Sequence, residues 1–161
     1  ILVKKKFTHL ILDIIPSDGS TLEIIPNIRR LYPDMNIMIF SMQPAEIYGE
    51  ALKQYGIKYY LSKSVGEEEI IDCLNKFLHN EVQLKTNGIQ SFKGNPFATL
   101  APRELEILHY VLKGFGTKEI SETLNLKMNT ISTVKNRIYE KTNAGNIKEL
   151  IELATLYSVN Y

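Results

Sequence analysis

Three polar residues each follow a short apolar run: Asp13 after HLIL, Ser41 after NIMIF, and Lys63 shortly after KYYL. A carboxylate, a hydroxyl and an ammonium make a trio with a use. The carboxylate is a weak nucleophile, the hydroxyl a hydrogen-bond donor, and the ammonium a counter-charge. Taken singly, each has a plain structural reading: an Asp in a turn, a helix-capping Ser, a solvated Lys. Together, at three successive run ends, they are expected to converge on one crevice.

Convergence requires that the runs be neighbouring strands. Thr8–Ile15, Asn36–Phe40 and Lys58–Leu61 are short and apolar, as buried strands are. Between and after them lie segments of helical spacing. Leu22, Ile25, Ile28 and Leu31 repeat on one face, with Pro26 early enough to be tolerated or to kink the helix. Ala45–Tyr55 carries Ile47, Ala51, Leu52 and Tyr55 and is stopped by Gly56. Glu67–Leu78 carries Ile70, Ile71, Leu74, Phe77 and Leu78 as its inward face, with Cys73 among them as a buried thiol. Strand alternating with helix predicts a parallel α/β sheet. In such sheets chemistry gathers at the carboxyl ends of the strands, where Asp13, Ser41 and Lys63 stand.

The composition narrows the classes. Hydrophobic residues make up 44% of 161 residues, which suits a folded chain rather than a disordered one. The single cysteine excludes an intrachain disulfide. His9, His79 and His109 lack ligand spacing, and no apolar run reaches the length of a membrane span. The chain starts without Met, on an apolar triplet followed by three lysines, the reverse of a secretory signal. It is therefore expected to be cytoplasmic and to begin partway through a longer unit. The near-neutral total of +1 hides a split. Residues 113–148 hold seven Lys/Arg against three Glu, a basic stretch suited to an acidic partner. From residue 80 to 96 the sequence is polar and turn-rich, with Asn-Gly and Gly-Asn-Pro, which predicts a linker. The expected division is an α/β domain at 1–79, a linker at 80–96, and a second domain at 97–161.

The second domain reads as four short helices: Pro102–Lys113, Lys118–Leu124 with Thr117 as a candidate cap, Asn129–Thr142, and Ile147–Tyr157. Two short helices joined tightly, the second amphipathic, form a helix-turn-helix pattern. With Ile131, Val134 and Ile138 turned inward, Ser132, Thr133, Asn136, Arg137 and Glu140 occupy the opposite arc. Short polar groups beside positive charge suit base edges and phosphates.

Residues 100–150 (LAPRELEILHYVLKGFGTKEISETLNLKMNTISTVKNRIYEKTNAGNIKEL) resemble a LuxR-type helix-turn-helix throughout. Leu100, Pro102-Arg103-Glu104, Gly114, Lys118-Glu119-Ile120, Thr130-Ile131, Lys135, Ile138 and Lys141 stand at family positions. Lys127 replaces the usual Ser before the recognition helix and Thr142 the usual Leu near its end. The first half resembles a flavodoxin-like receiver domain, so the whole is similar to NarL/FixJ-class response regulators. The resemblance implies that Asp13 is the phosphoacceptor and that Ser41, Tyr60 and Lys63 form the phosphoryl switch. It implies a sensor histidine kinase as phosphodonor, double-stranded DNA as ligand, and no enzymatic activity. Phosphate contacts would fall to Thr117, Lys118, Thr130, Lys135 and Arg137, and base contacts to Ser132, Thr133 and Asn136. A homodimer would form through Leu150, Ile151 and Ala154 of the last helix.

Departures accompany the likeness. The family's first strand–helix–strand unit, with its acidic pair for Mg²⁺, has no counterpart among the six or so residues before the first strand. Asp13 would ligate Mg²⁺ only if such a pair exists upstream. Without it, the alternative is a DNA-binding regulator whose receiver serves only as a phosphorylation-independent dimerisation module. Thr21 stands where the short receiver variant often has Gly. A phosphatase of the haloacid dehalogenase type would need a second Asp at position 15, where this chain has Ile15.

Overall fold

The computed structural model describes residues 7–16, 20–80 and 94–158. Three strands, β1 (His9–Leu12), β2 (Asn36–Ser41) and β3 (Tyr59–Ser62), form a parallel sheet in the order β1-β2-β3. Leu12 pairs with Ile39 and Ser41 with Ser62, so the three strands end at nearly one level. Helices α1 (Ile25–Leu31), α2 (Ala45–Leu52) and α3 (Glu67–Leu78) connect or follow them.

Alternation along β2 sorts the core. Ile37 and Ile39 point to the face packed with α1 and α2, while Met38 joins Tyr59, Leu61, Cys73 and Phe77 under α3. At β1, Leu10 and Leu12 share the first face, whereas Ile11 on the opposite face is exposed. Among the described residues β1 pairs on one side only, and α3 packs on β3, reaching β1 where Phe77 meets the His9 ring edge-on. An unpaired apolar edge of this kind is a template for another strand.

Several helical details differ from the sequence expectation. Leu22–Ile24 forms a 3₁₀ turn and the α-helix starts at Ile25, because Pro26 fits only a first helical turn. Lys53–Tyr55 likewise tightens to 3₁₀ before Gly56, whose φ of 71° ends the element. Leu31, Ile71 and Leu78 are exposed rather than inward. On α3 the true stripe is Ile70, Cys73, Leu74 and Phe77, narrower than the predicted face because the helix covers a single strip of sheet.

The second half contains α4 (Pro102–Leu112), α5 (Thr117–Thr123), α6 (Met128–Thr142) and α7 (Ile147–Ser158). Gly114, at φ 84°, reverses the chain after α4. Glu104 ties this half together: it accepts from the Ala101 N–H at 2.7 Å and from Lys141 Nζ at 2.7 Å, joining the start of α4 to the end of α6. Asn125, at φ 50°, makes the α5–α6 turn, closed by Leu126 N–H to Ser121 O. Asn146 caps α7, its Oδ1 accepting from the N–H groups of Lys148 and Glu149.

The two halves touch. α4 lies against the Leu22–Ile24 turn and α7 against α2. Of the expected linker, residues 81–93 lie outside the described residues. Its far end is docked, since Asn95 Nδ2 donates to Glu46 O at 2.6 Å and Phe97 is fully buried.

Candidate functional site

Asp13 is the first residue after β1 and three groups converge on its carboxylate. Oδ1 accepts from the Ser41 hydroxyl at 3.0 Å and from the Ile15 N–H at 3.2 Å. Oδ2 receives Lys63 Nζ at 2.6 Å. Parallel register makes this possible. Ser41 is the last residue of β2, and Lys63 continues the β3 ladder through its N–H to Ser41 O. Lys63 also lies over the Phe40 ring. Asp13 and Lys63 keep 26% and 34% of their side-chain surface, so a reactant can approach from solvent. Burial pushes the Asp13 carboxyl up. The Lys63 ammonium, the Ile15 N–H and the Ser41 hydroxyl outweigh that and hold it below the ordinary value, as the ionised form.

Thr21 takes a role the family pattern did not assign. Its hydroxyl donates to the Asp13 carbonyl at 2.5 Å and its N–H to Ile14 O at 3.0 Å, closing the loop that leaves the crevice. Tyr60 extends from β3 on the α2 face and donates its phenol to Gln43 O at 2.9 Å. Burial raises the phenol well above its usual value, which keeps it a neutral donor.

The pocket does not by itself suit a divalent cation. Mg²⁺ wants several hard oxygen ligands. Here one carboxylate already has both oxygens engaged by donors, and among the described residues no three acidic, His or Cys side chains gather as ligands.

Gln43 and His109 also belong to this site, although neither position carries a sequence signal for it. Gln43 donates its N–H to Ser41 Oγ at 3.3 Å, accepts the Tyr60 phenol on its carbonyl, and meets His109 Nδ1 with its side-chain Oε1 at 3.2 Å. His109 is on α4, 66 residues away, and is only 4% exposed. No periodicity or spacing could join the two positions, so no sequence signal was available.

The second candidate surface is α6. Ile131, Val134 and Ile138 are buried, while Thr130, Ser132, Thr133, Asn136 and Arg137 are exposed. The Thr133 hydroxyl donates to Asn129 O at 2.8 Å, leaving its oxygen as an acceptor. Half-buried Lys135 reaches Thr117 Oγ1 at 3.4 Å, which ties α6 to the start of α5. Lys118 is highly exposed, with Glu122 at 3.9 Å. Gly116 rather than Thr117 occupies the cap position of α5, and Glu119 accepts its N–H at 2.6 Å. Lys127 caps α6 without a side-chain bond. The surface can offer donors and acceptors to base edges with positive charge alongside.

The expected dimerisation residues separate. Leu150 and Ala154 are 1% and 4% exposed and belong to the core, because α7 is covered by its own domain and by α2. Only Ile151 lies on the surface, with Ile147 one turn before it. In this arrangement the three do not make a common free face.

Residues 98–154 match the family described as bacterial regulatory proteins, luxR family. The oxygen regulatory protein NreC of Staphylococcus carnosus is 31% identical over 160 residues, covering 90% of this chain and 74% of the relative. NreC of Staphylococcus epidermidis is 31% identical over 161 residues with the same coverage. Among solved structures, RcsB of Salmonella enterica serovar Typhimurium, bound to promoter P1flhDC with the phosphomimetic BeF3⁻, is similar in fold. The TM-score is 0.69 at 23% identity, with 96% of this chain and 78% of that chain covered. A complex of the two-component response regulator RcsB with DNA gives a TM-score of 0.64 at 25% identity, covering 95% of this chain and 77% of the other.

Proposed function

The chain belongs to the NarL/FixJ class of response regulators with a LuxR-type DNA-binding domain, and from that premise we propose that phosphorylation of Asp13 controls its binding to DNA. The observation that carries this reading is the convergence of Ser41, Lys63 and the Ile15 N–H on one accessible, ionised carboxylate. An oxygen of Asp13 attacks the phosphorus of a phosphohistidine on a sensor kinase. The O–P bond forms, the N–P bond breaks, and the kinase histidine leaves. The new phosphoryl group then competes for the donors that Asp13 holds. Lys63 follows the added negative charge and Ser41 offers its hydroxyl. Mg²⁺ takes part only with oxygen ligands beyond those of the described pocket.

The DNA-binding half reads double-stranded DNA through α6. Ser132, Thr133 and Asn136 face base edges, and Thr117, Lys118, Thr130, Lys135 and Arg137 face phosphates. The active form is a homodimer in the cytoplasm, with Ile151 on the α7 surface and Leu150 and Ala154 beneath it. The functional units are residues 1–79 and 97–161, joined by 80–96. The protein acts as a regulator rather than an enzyme.

A second reading is favoured by the lone carboxylate of the pocket: a receiver half that docks and dimerises without being phosphorylated. Phosphate-affinity electrophoresis with acetyl phosphate and Mg²⁺ separates the two. A retarded band in the wild type that disappears in Asp13→Asn supports phosphorylation control. The same pattern with and without Asp13 supports the second reading.

A further inference from the structure

The seam between the halves is polar where it meets the crevice. Arg103 of α4 pairs with Glu23 at 2.7 Å and with Glu106 at 2.5 Å. Gln54 Nε2 donates to Leu100 O at 3.2 Å, Asn95 to Glu46 O, and His109 meets Gln43. Arg103, Glu106 and His109 recur every three residues, so they form one strip along α4. Glu106 and His109 are nearly sealed from solvent although both are polar. These polar pairs accompany an apolar cluster that runs through both halves, with Ile47 and Tyr48 in the first and Phe97 and Leu100 in the second. Polar partners on both sides, each able to return to water, suit a contact that opens and closes.

Among the described residues of this seam, Gln43 bonds both to the phosphoacceptor pocket and to α4. Gln43 binds Ser41 Oγ with its N–H, Tyr60 with its carbonyl, and His109 with its side chain. Its backbone therefore follows the position of the Ser41 loop while its side chain holds the DNA-binding half. We propose that Gln43 couples the state of the Asp13 pocket to docking of α4, through its side-chain hydrogen bond with His109. When Ser41 turns to another acceptor, the Gln43 N–H loses its partner and the loop shifts. The Gln43 side chain then no longer reaches His109, and the seam loosens. Linkage makes the effect reciprocal: a docked α4 restrains the Ser41 loop in its present form. The trigger rests on the reading of Asp13 as phosphoacceptor; the coupling itself does not require it.

The test is a double-mutant cycle that uses no phosphodonor. Ser41→Ala removes the hydroxyl that Gln43 follows. Gln43→Ala keeps both backbone contacts and removes only the side chain that reaches His109. Amide exchange is measured in α4 and α7 of the full chain. Ser41→Ala is expected to speed exchange there severalfold when Gln43 is present, and to add nothing once Gln43→Ala is also in place. His109→Phe, which keeps the bulk without the hydrogen bond, is expected to behave like Gln43→Ala, and His109→Gln, which keeps a donor, like the wild type. Equal effects of Ser41→Ala with and without the Gln43 side chain overturn the coupling. So does His109→Phe that leaves the response to Ser41→Ala intact. Because no step uses phosphate, failure here is distinct from failure of Asp13 to be phosphorylated, which electrophoresis reports.

Discussion

The Asp13 crevice and the α6 surface are both polar sites on helix-covered scaffolds, yet they are built in opposite ways. Asp13, Ser41 and Lys63 come from three strand ends and already bond one another. The α6 residues come from fifteen consecutive positions, and most of their polar groups face solvent. A site whose groups are mutually satisfied does nothing until a new charge competes for its donors. A site whose groups are open is ready as soon as a ligand arrives. The contrast fits the proposed division into a controlling first half and a recognising second half, and the Gln43–His109 contact is one of the places where the halves meet.

This comparison can be broken most forcefully within α6 itself. Ile138 is fully buried. Ile138→Ala is expected to cost about 2–5 kcal/mol of stability in the second half, read by denaturant unfolding. Asn136→Ala, on the open face, is expected to leave stability nearly unchanged and to weaken specific DNA binding by about 1–3 kcal/mol. Equal losses on selected and random duplexes in a binding titration remove Asn136 from base reading. Lys135→Ala is expected to act on all sequences alike and to reduce the slope of log affinity against log salt by about one. A slope unchanged across salt concentrations contradicts phosphate contact by Lys135.

The smallest effect probes the meeting point without any substitution. Burial and the neighbouring Lys113 charge lower the His109 pKa from 6.5 to about 4 in the docked form. Gln43 faces the ring across the seam and Tyr110 packs edge-on beside it. Undocking exposes His109 and restores a more ordinary value, so the open form binds the proton more tightly. Docking is therefore fully favoured above about pH 6.5 and weakens as pH falls toward about 4. Amide exchange in α4 is expected to rise over that window in the wild type and to lose most of this dependence in His109→Phe.

The sequence made the elements legible for specific reasons. The three strands were short apolar runs with turn signals, and their parallel order followed from the helices between them. Ile131, Val134 and Ile138 lie inward as their spacing required. What failed was the width of apolar faces. Leu31, Ile71 and Leu78 fit the helical period but sit beyond the strip their partners cover. The family resemblance, not periodicity, set Leu150 and Ala154 at a dimer interface, and both are buried here because α7 packs on its own domain and on α2. The convergence of Asp13, Ser41 and Lys63 was legible because strand ends in a parallel sheet are neighbours by topology. The Gln43–His109 contact was not, because it depends on how two separately legible halves dock.

The central claim is that the carboxylate of one half governs the open surface of the other. Its most direct measurement is the affinity of the full chain for a duplex selected from random sequence, before and after treatment with acetyl phosphate and Mg²⁺. The account predicts tighter binding after treatment in the wild type and no change in Asp13→Asn. The same affinity in both proteins under both conditions would contradict it.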